Sequence, residues 1–225
     1  MAKIHPTAVV EDGAILADGV EIGPLCYVGA NVKIGEGTRL IAHCNVDGHT
    51  TIGKNNVLHP FAALGQPAQD HSVVPGAATY LNVGDNIHLI NAAVVGGYGE
   101  VHDRAILSGL VAIHQFCRVG KLAIISGCSA FSKDVPPFMM AEGRNGGVKM
   151  INKVGLSRAG YTAEQINVVK QIFRIYYRSG LIPSVALEKI RTELPQTEEV
   201  REFLEFCANS KKGVVPGNAN SGHRD

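Results

Sequence analysis

An apolar residue occupies every sixth position through two long stretches. The first runs Ile4, Val10, Leu16, Ile22, Val28, Ile34, Leu40, Val46, Ile52, Leu58 and Leu64, and the second Val83, Leu89, Val95, Val101, Leu107, Ile113, Val119, Ile125 and Phe131. Six is neither the 3.6-residue period of a helix nor the two-residue alternation of a flat strand. It suits a chain that turns a corner every six residues and buries one large side chain per segment. The expected fold is therefore a solenoid of stacked coils.

The neighbouring positions agree. Gly follows the apolar residue at Gly23, Gly29, Gly35, Gly53, Gly65, Gly84, Gly96 and Gly120, which predicts corners whose backbone conformation a Cβ would resist. Four residues after the apolar one the slot is mostly small, as at Ala8, Cys26, Cys44, Ala62, Ala93, Ala105 and Ala123. Large and small inward residues alternate, as a narrow triangular prism requires. Three hexads close one coil of eighteen residues, and coils stack ~4.8 Å apart through parallel strand pairing. The pattern resembles the left-handed parallel β-helix of the hexapeptide-repeat proteins, and the handedness is implied by that resemblance.

Lys and Arg total 21 against 20 for Asp and Glu, which gives no reason to expect nucleic acid or an anionic membrane surface as a partner. Three of the five cysteines, Cys26, Cys44 and Cys117, fall in small inward slots, where a reduced thiol packs as a small hydrophobe. The N-terminal MAKIHPTAVVEDG has no basic-then-apolar leader, and no stretch approaches eighteen uninterrupted apolar residues. These features predict a soluble cytoplasmic protein with no integral membrane segment.

The solenoid is expected over residues 1–150. The step from Leu64 to Val83 is 19 residues, and GQPAQDHSVVPGAATY breaks the hexad phase, so a loop leaving the prism near 65–82, or a coil with a bulge, is predicted. A helical domain is expected over 151–210. Its first helix spans 162–178, with Ile166, Val169, Ile172, Phe173 and Tyr176 on one face and Gly180 as the stop. A second helix lies between Pro183-Ser184 and Pro195, and a third near 198–209 buries Val200, Phe203, Leu204 and Cys207. Residues 211–225 read as a disordered tail.

Three segments carry a closer match: GQPAQD at 65–70, AIHQFCRVG at 112–120 and GCSAFSKDVPPFMMAEG at 127–143. With NKVGLSRAGYT and the run ending IYYRSG, they resemble the acyl-carrier-protein-dependent UDP-N-acetylglucosamine O-acyltransferases of lipid A synthesis. The resemblance implies transfer of a 3-hydroxyacyl chain from acyl carrier protein to a UDP-amino sugar, without a cofactor, by a homotrimer. Such chemistry needs a base for the hydroxyl proton and donors for the oxyanion.

By this resemblance Gln69 and Asp70 hold the sugar nucleotide, and His114 and Gln115 lie near the sugar and acyl groups. Asn152 and Arg158 contact uridine or phosphate, Gly97 donates to the oxyanion, and Gly127 sets the acyl-chain length. Departures from the family pattern are also legible. The rim string INAHxAHD, which carries the family's base, reads INAAVVGGYG here, with no histidine between His88 and His102. Tyr98 stands where a histidine follows the oxyanion glycine, His71-Ser72 replaces a lysine, and Val154 and Ala159 replace an acidic and a basic residue. Two whole coils are expected to be absent, a deletion that leaves the remaining strands in phase.

His114, His88, His102 and His71 are then the candidate bases. His114 has the alternative of a subunit-interface residue, Gln69 and Asp70 of loop capping, and Arg158 of a solvated charge at a helix start. No two of the nine histidines are five residues apart, so the histidine spacing of the zinc-dependent hexapeptide carbonic anhydrases is missing and no metal site is expected. Two rival functions stay open beside transfer. One is an inactive member that binds nucleotide-sugar or acyl carrier protein, or assembles with a full-length enzyme. The other is an acetyl-coenzyme A sugar acetyltransferase, against which the helical tail counts.

Overall fold

The computed structural model describes residues 1–66, 78–144 and 146–217. Short strands, most of two residues, alternate with corners and stack in three sheets of nine, seven and six strands, parallel except for the last pairing of the first. Most strands pair with the one eighteen residues on, as Lys3 with Glu21 and Ile4 with Ile22. The second residue of the pair points inward: Ile22, Val28, Leu40, Val46, Leu58, Leu64, Leu89 and Leu107 are all 2% exposed or less. At ~1.5–3 kcal/mol for each fully buried aliphatic side chain, this column is the main source of stability.

The register on either side of the phase-breaking segment keeps the order of the sheets. Across it, partners stand 31 residues apart, as Val57 with His88 and His49 with Tyr80. Ala63–Leu64 belongs to the second sheet and Tyr80–Val83 to the third, the normal succession. The spacing between partners thus exceeds one coil of eighteen by thirteen residues.

The corner glycines have a different reason from the expected one. Of the eight, only Gly65 has a positive φ (+67°); the others are held to glycine by the next coil. A Cβ on Gly23 would overlap the Ile41 carbonyl, and one on Gly96 would lie 2.8 Å from the Gln115 amide nitrogen. The left-handed residues fall two positions later and are often bulky, as at Leu25, Phe61 and Tyr98.

The prism ends in an antiparallel hairpin of Met139–Glu142 and Gly147–Ile151. Four helices follow: α1 (Lys153–Arg158), α2 (Ala163–Phe173), α3 (Pro183–Glu193) and α4 (Glu198–Ala208). Thr162 and Gln165 form a reciprocal capping box at the start of α2, and its last turns widen into a π-helical segment, Arg174–Arg178. The predicted apolar face is largely present, with Ile166, Val169 and Ile172 buried in α2 and Val200, Phe203 and Cys207 in α4.

The expected tail disorder fails for its first part. Residues 213–217 return to the solenoid: Asp134 N–H donates to Gly213 O, Val215 N–H to Asp134 O and Val148 N–H to Pro216 O. Val215 is 1% exposed, which explains why a Gly-Val-Val-Pro run is ordered despite its polar flanks. Residues 218–225 lie outside the described residues.

Candidate functional site

The outer face of the nine-stranded sheet changes character along its length. The slot before each inward aliphatic holds Lys3, Glu21 and Arg39 in the first coils, with ion pairs between Glu21 and both cations. Beyond the loop, register sets His88 beside Ile106, Ile106 beside Ile124, Ile124 beside Met140 and Met140 beside Met150. This apolar row is the floor of a groove of about 650 Å3, walled by the residues that enter and form α1.

The ionisable groups lining the groove are His88, Arg104, Lys153 and Arg158; no carboxylate is among them. Arg104 sits at a corner in the left-handed conformation and reaches across to the solenoid–helix junction, with Nη1 3.4 Å from Ala159 O. Lys153 and Arg158 are exposed at the two ends of α1. An anion held by these cations, with an apolar chain lying on Ile106, Ile124 and Met140, matches the chemistry of the lining.

Asn152 lines this groove, but its side chain is occupied within the fold. Oδ1 accepts from Gly155 N–H at 2.9 Å and Nδ2 donates to Leu122 O at 2.8 Å, in a residue 5% exposed. It caps α1 and ties the helix to the prism, so its first role is to position Lys153 and Arg158.

The other expected residues collect elsewhere. Gly97, His114 and Gln115 meet at the corner between the second and third sheets, on consecutive coils joined by Phe116 N–H donating to Gly97 O at 3.1 Å. Gly97 is buried, with a Cβ position 3.1 Å from Thr79 side-chain carbons. Tyr98 donates its hydroxyl to Ala78 O and stacks on Phe116 with centroids 4.7 Å apart. His114 is exposed and its Nδ1 lies 3.2 Å from Gln115 O. Gly127 is an exposed residue at the corner between the first and second sheets. Gln69, Asp70 and His71 lie outside the described residues.

The described residues of the expected site therefore fall in three places on one subunit: Asn152 and Arg158 at the groove, His114, Gln115 and Gly97 at one edge, and Gly127 at another. Arg104, Lys153 and the apolar row were missed from sequence. Their signal was available, because Ile106 and Ile124 stand eighteen residues apart in an outward slot that is charged in the first coils.

A parallel β-solenoid capped by helices, with a cation-rimmed apolar groove where the two meet, defines this protein's class as the hexapeptide-repeat acyltransferases. Residues 134–215 match the family described as Udp N-acetylglucosamine O-acyltransferase; Domain 2. The chain is 35% identical over 257 residues to the acyl-[acyl-carrier-protein]–UDP-N-acetylglucosamine O-acyltransferase of Thermodesulfovibrio yellowstonii, covering 95% of this chain and 99% of that protein. The Syntrophobacter fumaroxidans protein of the same name is 37% identical over 256 residues, again at 95% and 99%. Among solved structures, the Francisella novicida UDP-N-acetylglucosamine acyltransferase superposes with a TM-score of 0.69 at 28% identity, covering 99% of each chain. LpxA from Acinetobacter baumannii gives 0.68 at 30% identity, with 94% and 99% covered. The chain belongs to the acyl-[acyl-carrier-protein]–UDP-N-acetylglucosamine O-acyltransferase family.

Among the described residues no group of three or more His, Cys, Asp or Glu side chains is arranged to hold a metal ion. No helix among them is long and apolar enough to cross a membrane.

Proposed function

We propose that the protein transfers a 3-hydroxyacyl chain from acyl carrier protein to a UDP-amino sugar in the cytoplasm, as a homotrimer. The observation that carries this reading is the groove, whose Arg104, Lys153 and Arg158 suit a diphosphate and whose Ile106, Ile124 and Met140 floor suits an acyl chain. The names of the relatives supply the substrate pair. The test is purified protein with 3-hydroxyacyl carrier protein and labelled UDP-N-acetylglucosamine. Acylated sugar nucleotide above background supports the reading, and its absence retires it.

A second reading, a family member that binds these ligands without transfer, has its own support. The family string INAHxAHD read onto INAAVVGG sets its histidines at Ala93 and Gly96. Ala93 is 0% exposed, in the prism interior, and Gly96 has no room for a Cβ beneath Gln115. The match spans 257 positions against a chain of 225 residues, which supports removal of coils that carried the missing groups. Calorimetry with UDP-N-acetylglucosamine separates the two readings, since binding heat without turnover favours the second.

A further inference from the structure

We propose that His88 is the general base of this chain, a role it holds in place of the rim histidine that the family pattern leads one to expect. The assignment rests on the transferase reading of the groove. His88 is the outward residue of the strand His88–Leu89 and heads the apolar row, directly beside Ile106. Among the ionisable groups lining the groove, the other three are Arg104, Lys153 and Arg158, whose guanidinium and ammonium heads are hydrogen-bond donors with no acceptor site, whereas an imidazole ring offers an acceptor nitrogen.

None of the other described histidines lines the groove, and most are engaged elsewhere. His102 directs Nε2 toward Glu100 at 3.3 Å and packs edge-on against Phe206, under the helices. His114 lies at the opposite edge with Nδ1 near Gln115 O. His43 and His49 are stacked on Phe61 and Tyr80, and His5 is bonded to Thr7. Among the described residues, neither ring nitrogen of His88 is engaged in a hydrogen bond; its ring neighbour is His59, tilted at 6.4 Å. Its nitrogens are thus open to a ligand whose phosphates lie on Arg104 and Arg158.

The step balances without a further reactant. The sugar hydroxyl gives its proton to the imidazole as its oxygen bonds to the thioester carbon. The tetrahedral intermediate then expels the carrier thiolate as the C–S bond breaks, and the imidazolium returns the proton to that sulfur.

The test compares wild type, His88→Ala and His88→Gln in the transfer assay, with UDP-N-acetylglucosamine binding measured by calorimetry on each. Both variants should keep wild-type affinity and lose roughly 10²–10⁴ in kcat. Added imidazole should restore part of the rate to His88→Ala, a recovery that a structural role would not produce. Wild-type turnover that either folded variant matches overturns the assignment and leaves the transferase reading standing. Loss of sugar-nucleotide affinity in step with turnover, without imidazole rescue, also overturns it. Absence of turnover in wild type overturns both. Should His88→Ala fail to fold, His88→Gln carries the same kinetic comparison.

Discussion

Arg118 grips the buried carboxylate of Asp134 with Nε at 3.0 Å and Nη2 at 2.9 Å from the same oxygen, Oδ2, while the Arg118 backbone N–H takes Oδ1 at 2.8 Å. Asp134 is 1% exposed, and Ser210 adds a third donor to Oδ2 at 2.8 Å. The guanidinium also donates to Phe206 O at 2.7 Å and lies 4.3 Å over that ring. One ion pair therefore joins the third sheet to α4 and the residues after it. Removing one partner of such a pair strands a buried charge, at a cost of about 3–5 kcal/mol. Asp134→Ala should lower urea stability by that amount, and a change under 1 kcal/mol would show that the pair does not hold the helices.

The close stacking of coils makes a sharper prediction than glycine content does. Gly23→Ala drives a methyl into the Ile41 carbonyl, whereas a Cβ on Gly109 would rest 3.5 Å from Asn91 O, an ordinary contact. Gly23→Ala should cost about 1–3 kcal/mol, the usual price of overpacking, and Gly109→Ala should stay within about 0.5 kcal/mol. Paired urea melts check this, and equal effects would refute the packing account.

The hexad was enough to read the prism, because one large inward residue per segment leaves a period that neither a helix nor a flat strand produces, and α2 and α4 were legible from buried faces at helical spacing. The function of the corner glycines was not legible. A close approach between coils and a positive φ leave the same residue in the sequence, and the left-handed positions carry bulky side chains such as Leu25 and Phe61. The groove was legible only in part. Arg158 came from resemblance, but Arg104 and Lys153 converge on it from segments some fifty residues apart, a proximity that periodicity does not encode. Asn152 was recognised as a site residue, whereas its bonds to Gly155 and Leu122 make it first a cap.

The thiols offer a test of the buried core, in the prism at Cys117 and in α4 at Cys207. Burial pushes the Cys117 thiol up to about 11 and the Cys207 thiol up to about 12. Because these folded-state values lie above the ordinary thiol range of about 8.5, the folded state holds the protons more tightly than the unfolded one. Their contribution is intact below about pH 8.5 and is lost as pH rises toward 11. Urea midpoints should fall across that window, with a shallower slope in Cys117→Ala. At pH 8 a thiol reagent should titrate Cys128, the exposed member of the five cysteines, well before the buried ones. Rapid reaction at several cysteines in native protein would contradict a closed prism.

Arg158 and Asn152 should separate ligand contact from scaffold. Arg158 is exposed at the last turn of α1, with its side chain directed at the groove, so Arg158→Ala should leave stability within about 0.5 kcal/mol. A charge-assisted bond to phosphate contributes about 1.5–3 kcal/mol, so the same variant should weaken UDP-N-acetylglucosamine binding by roughly 10–100-fold, with a smaller salt dependence than wild type. Asn152→Ala removes the cap on Gly155 and strands the Leu122 carbonyl, which should cost about 1–3 kcal/mol of stability. Its affinity should fall through displacement of α1, recovering with added stabilising osmolyte where that of Arg158→Ala does not. Unchanged affinity in Arg158→Ala by calorimetry would mean that the phosphates bind outside the groove.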